Sequence, residues 1–154
     1  MDTDGEDGGG GPAPPECEAV AALAGEARLF LTFDEGDPAR VGDASPDGRE
    51  GVVVGSVSYE AGRCGRAVAF DGTRSWVEVA PDPVLDGAET GLTVEAWVWL
   101  REANDYSMVL AKRSRMELGK QSFQMIVNAD GEASTFSVER CGAVARQTGI
   151  EVGR

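Results

Sequence analysis

The 154-residue chain contains no histidine. That removes the commonest general base near neutral pH, any Ser-His-Asp arrangement and most zinc chemistry. Basic residues are scarce: 14 Lys and Arg against 27 Asp and Glu leave a formal charge of −13. Nucleic acid and anionic membranes select basic surfaces, so neither is expected as a partner. No apolar run approaches the ~20 residues of a membrane-spanning helix, so no direct membrane insertion is expected. The acidic opening MDTDGEDGGGG lacks the basic and apolar segments of a signal peptide. It fits either a cytosolic protein or a precursor whose true start lies before Met1.

Cysteine is sparse too. Cys17, Cys64 and Cys141 form no C-x-x-C pair, which excludes zinc-ribbon and thioredoxin-type readings. One disulfide plus one remaining thiol suits an exported protein, and three thiols suit a cytosolic one. We expect export to the cell exterior or surface, with Cys64–Cys141 as a trial pairing that no geometry supports.

The length leaves room for one domain with a core of its own. Residues 1–16, MDTDGEDGGGGPAPPE, are Gly, Pro and acid with nothing to bury. They read as a flexible tether or a plain disordered N-terminus. Six carboxylates and no basic residue fall within the first eighteen positions, so part of the charge belongs to this segment. Residues 18–26 (EAVAALAGE) predict about two turns of helix, interrupted by Gly25.

From Ala27 the pattern is strand, turn, strand. Expected strands are 28–33 (RLFLTF), 52–59 (VVVGSVSY), 66–70 (RAVAF), 75–80 (SWVEVA), 91–100 (GLTVEAWVWL), 106–112 and 122–128. The longest, 91–100, alternates strictly, with Leu92, Val94, Ala96, Val98 and Leu100 against Thr93, Glu95, Trp97 and Trp99. This period of two reads as an inner strand covered on both faces, which makes Trp97 and Trp99 expected core residues. Asp130-Gly131 is a hairpin signal. Seven or eight short strands without crossover helices predict an all-β antiparallel sandwich.

In order, LFLTFDE, DASPDGREG, AGRCGRAVAFDGTRSWVEV, LTVEAWVWL, MVLAKR and FQMIVNADGEASTFSV resemble the laminin-G-like jelly roll of the concanavalin A-like lectin and glucanase superfamily. Its running pattern is a first strand ending F-D, a D-x-S-x-x-G loop, G-x-x-G-x-A-x-x-F-D-G, a T-V-x-A-W-V strand and a D-G hairpin. The resemblance covers about Arg28 to Arg154. It implies an antiparallel two-sheet jelly roll over residues 17–154. It also implies closing strands beyond TGIEVGR, opening W-x-H-V, that are missing here, so the jelly roll is expected to be incomplete. The alternative is a sandwich that closes differently.

Glucanases on this fold carry an E-x-D-x-x-E strand, and no such spacing occurs here. Asp34, Glu35 and Asp37 read as a solvated turn. Asp43-Ala-Ser45-Pro-Asp47-Gly48 begins like a calcium loop, but position twelve is Val54, which excludes an EF-hand. The resemblance implies calcium between rim loops, for which Asp34, Asp43, Asp47 and Asp71 are the candidate ligands. The opposing reading is that these residues merely shape turns. For a glycan, Trp76 is the candidate stacking platform, with Asn104, Asp105 and Tyr106 as polar contacts. Arg113 and Arg115 read as solvated loop charges.

The expected function is a non-enzymatic binding or adhesion module of an exported or surface protein, recognising carbohydrate or protein through its loops. Two alternatives stand beside it: a structural spacer within a larger surface protein, and a non-catalytic remnant of a glycoside hydrolase.

Overall fold

The computed structural model describes residues 15–85, 92–102, 107–112, 122–127, 134–140 and 143–147. The chain divides into two compact units, one ending at Pro81 and the other beginning at Asp82. The described residues are mostly short strands in small antiparallel sheets, with one short helix, as an all-β chain requires. Among them, no helix is long and apolar enough to cross a membrane.

The first unit opens with α1 (Pro15–Ala22), which carries Glu16 and Glu18 in its first turn. A proline at the start needs no donor, and acids there meet the positive end of the helix dipole. A 3-10 turn (Leu23–Gly25) finishes it, with the Glu26 and Ala27 amides both donating to the Leu23 carbonyl. The helix thus begins three residues earlier than expected and stops at the glycine expected to interrupt it. The strands that follow are β1 (Arg40–Val41), β2 (Gly51–Val54), β3 (Val57–Ala61), β4 (Arg66–Phe70) and β5 (Trp76–Val79). They form a sheet ordered β1-β2-β5 and a separate β3-β4 hairpin inserted between β2 and β5.

The expected strands 66–70 and 75–80 are found as β4 and β5. Two others are corrected. The 28–33 run keeps only a single bridge, Leu31 opposite Asp43. Its Phe30 amide is taken by the Asp43 side chain, and Phe33 turns to φ 64, a left-handed conformation that ends an extended run. The 52–59 run is two strands. Gly55 has φ 83, and a Cβ there would collide with the Arg74 carbonyl. The chain breaks where only glycine permits so close an approach.

The disulfide joins Cys17 to Cys64, with Cα atoms 5.5 Å apart, and this replaces the trial Cys64–Cys141 pairing. Helix α1 brings Cys17 to the turn before β4, where Glu16 also pairs with Arg63 and the Cys17 sulfur lies 3.5 Å from the Arg63 carbonyl oxygen. Cys141 lies outside the described residues.

The second unit contains a 3-10 turn (Pro83–Leu85) and a four-stranded meander. Its strands are β6 (Ser107–Lys112), β7 (Ser122–Val127), β8 (Ser134–Arg140) and β9 (Ala143–Gln147). Strands β6 and β7 match their sequence expectation, and β7 pairs antiparallel with β8 across the segment holding Asp130-Gly131. The turn residues themselves lie outside the described set. Met125, Ile126 and Val127 are consecutive and all buried, so both faces of β7 are shielded there.

Residues 92–100 correct the boldest expectation. They form no strand and take part in no sheet pairing among the described residues. Trp97 is 61% and Trp99 82% exposed, so neither is core. Alternation states which side chains share a face, but a face is covered only when a ladder holds the strand in register.

Candidate functional site

The site is assembled by the register of the β1-β2-β5 sheet. Arg40 lies opposite Val52 and Val41 opposite Gly51. On the other side of β2, Gly51, Val52, Val53 and Val54 lie opposite Val79, Glu78, Val77 and Trp76. Because successive residues point to opposite faces, Val41, Gly51, Val53, Val77 and Val79 share one face. Val41 is fully buried there, and a Cβ on Gly51 would strike Val77. The opposite face carries Arg40, Val52, Val54, Trp76 and Glu78. It faces water: Trp76 is 49% and Val52 53% exposed.

An indole at the start of the edge strand β5 is therefore held on a solvated face that also carries a charged row. Arg40 and Glu78 flank Val52 two residues along from the Val54–Trp76 pair, and Arg40 also pairs with Glu50 at 2.5 Å. Trp76 was expected as a platform. Arg40, Val52 and Glu78 were not, although the alternation of 52 with 54 and 76 with 78 carried the signal. What was lacking was the pairing of β2 with β5.

The loop leading into Trp76 is pinned by Asp71. Its carboxylate accepts the Ser75 hydroxyl at 2.7 Å and the Thr73 and Arg74 amides at 2.9 and 3.0 Å. The Ser75 hydroxyl oxygen in turn accepts the Asp71 amide at 2.9 Å. The Ser75 hydroxyl first, then those amides, hold the Asp71 carboxyl well below the usual carboxylate range. It is ionised at any ordinary pH, and the indole begins its strand from a fixed loop.

The other candidate metal ligands are engaged in the same way. Asp43 accepts the amides of Phe30, Ser45 and Arg49 and the Ser45 hydroxyl, at 2.7 to 2.9 Å. Burial pushes its carboxyl up, but these four bonds more than offset that and leave it below the ordinary 3.8. Asp47 pairs with Arg49 at 2.7 Å and with Arg28 at 3.9 Å. Asp34 accepts the Arg66 amide at 2.7 Å. Asp43 and Asp47 share one loop, whereas Asp34 belongs to the β4 end and Asp71 to the β5 end. Among the described residues no three Asp, Glu, Cys or His come together in a way that could hold an ion. Each candidate carboxylate thus already has at least one oxygen engaged by a protein donor.

Asp34, expected as a turn residue or a calcium ligand, and Asp37, expected as a solvated turn residue, fasten this loop to the β3-β4 hairpin. The Tyr59 hydroxyl donates to the Asp37 carbonyl at 2.7 Å, and the Arg66 guanidinium sits 5.5 Å from the Tyr59 ring centroid. Burial, then the Glu35 and Asp37 carboxylates, push the Tyr59 phenol up, so it stays a donor. Of the remaining candidates, Asn104, Asp105 and Tyr106 lie outside the described residues, as do Arg113 and Arg115.

No protein-family model, curated protein or solved structure matches this chain.

Proposed function

We propose that the chain is a non-enzymatic carbohydrate-binding module displayed outside the cell, with the outer face of the β1-β2-β5 sheet as its contact surface. The observation that carries this is Trp76: a half-exposed indole, set by register on the same face of the sheet as Arg40 and Glu78 and entered from a loop pinned by Asp71. Aromatic faces pack on the apolar faces of pyranose rings, and the flanking charged groups suit ring hydroxyls. The absence of histidine and of an E-x-D-x-x-E strand supports binding without turnover. The Cys17–Cys64 disulfide supports an oxidising compartment.

The resemblance to the laminin-G-like jelly roll supports the same reading and implies that the sheets assemble into two facing layers. Calcium rests on that resemblance alone, and each of the four candidate carboxylates already holds a hydrogen bond or an ion pair within the first unit.

A glycan panel probed with the full chain, with and without chelator, tests the proposal. Binding is expected to a subset of glycans and to survive chelation. Binding to no glycan at all would favour the spacer reading, and conversion of any glycan to products would overturn the non-enzymatic one.

A further inference from the structure

The geometry points to the Cys17–Cys64 disulfide as a thiol-labile clasp that keeps the N-terminal helix docked on the first unit. Helix α1 has eight residues, and Cys17 is its one buried residue. Leu23, just beyond its end, is 46% exposed. A helix this short does not persist alone in water, and this one brings no apolar stripe to hold it in place. Its ion pair, Glu16 with Arg63, has side chains 38% and 57% exposed, a class of contact that contributes little. The crosslink therefore carries the docking.

The chain beyond the helix is gripped separately. Arg49 donates to the Arg28 carbonyl at 2.7 Å, Phe30 donates to Asp43 at 2.8 Å, and Ala44 donates to the Phe30 carbonyl at 2.8 Å. None of these bonds involves either cysteine. The line of release therefore falls between Ala27 and Arg28: the helix comes free, while the sheet stays.

Cys64 is the open side of the bond. It is half-buried between exposed Arg63 and Gly65, whereas Cys17 is buried. A thiolate of an external dithiol attacks the Cys64 sulfur and forms a mixed disulfide, and Cys17 departs as a thiolate that takes up a proton. The second thiol of the reductant then attacks its own sulfur in that mixed disulfide. Cys64 is released as a thiol and the reductant leaves as its disulfide, with two electrons passed to the protein.

Hydrogen exchange on the full chain tests the clasp. The oxidised protein is compared with protein reduced by dithiothreitol and capped with iodoacetamide, and with the Cys17→Ser/Cys64→Ser double variant. Peptides covering 15–27 are expected to exchange at least about tenfold faster in both altered forms, with those covering 51–54 and 76–79 unchanged. Equal protection of 15–27 in all three forms would overturn the proposal. So would loss of protection at 51–54, which would make the bond a staple of the whole unit, or a non-reduced peptide map joining Cys64 to Cys141.

Discussion

Of the runs that carry a β-type pattern, the 51–54 and 76–79 pair becomes part of a sheet and residues 92–100 do not. Residues 51–54 and 76–79 are short and plain, yet they pair in register and sort their side chains into a covered and an open face. Residues 92–100 alternate more strictly and over a longer stretch, yet they enter no ladder among the described residues and expose both indoles. The β2-β5 pair has fixed flanks. The β2-β5 pair is bounded by Gly55, which admits the Arg74 carbonyl, by Asp71, which shapes the loop into β5, and by Asp43, which binds the chain ahead of β2. Turn chemistry on both sides makes the pairing local and specific, and alternation alone supplies none of it.

The comparison breaks most sharply at Asp43. Asp43→Ala leaves the Phe30, Ser45 and Arg49 amides without their acceptor, and is expected to destabilise by about 2–4 kcal/mol. Urea unfolding of the variant against the parent measures it, and an unchanged midpoint would mean that water replaces the carboxylate without loss. Gly55→Ala comes next. A positive φ and the collision with Arg74 are expected to cost ~1–3 kcal/mol, with hydrogen exchange rising at both 51–54 and 76–79.

A milder effect follows from pH. The Asp43 and Asp71 carboxyls both lie below their ordinary 3.8 in the folded chain, so the folded state holds fewer protons there than the unfolded state. Their stabilisation is complete above the unfolded value and fades as pH falls through the lower folded values. Thermal midpoints should hold steady down to about pH 4 and decline below it, and Asp43→Asn should decline less. The smallest effect is expected at the exposed indoles of residues 92–100. Trp97→Ala and Trp99→Ala should each change stability by less than about 0.5 kcal/mol, where a covered indole would cost ~3–5 kcal/mol.

Much of the secondary structure was legible in the sequence. The strands at 66–70, 76–79, 107–112 and 122–127 follow from β-branched and aromatic residues between turn formers, and Gly25 marks where the helix runs out. The losses share a physical cause, which is that side chains distant in sequence decide the outcome. The 28–33 strand is lost because a carboxylate thirteen positions on takes its amide. The 52–59 strand is cut by a backbone approach from Arg74 that nothing in 52–59 records. The true disulfide depends on a helix crossing to a hairpin turn. For the candidate site, Trp76 was legible as an aromatic beside a loop, whereas Arg40 and Glu78 required the register. The acidic residues were legible as a set but not in role, because Asp34, Asp37, Asp43 and Asp71 act as acceptors for backbone amides.

The central claim is that an indole ordered by a ladder forms a working surface and an indole outside one does not. The most direct test titrates a glycan bound by the parent into Trp76→Ala and Trp97→Ala side by side. Trp76→Ala is expected to lose at least about tenfold in affinity, or ~1.4 kcal/mol, while Trp97→Ala binds as the parent does. Parental affinity in Trp76→Ala together with loss in Trp97→Ala would contradict the account.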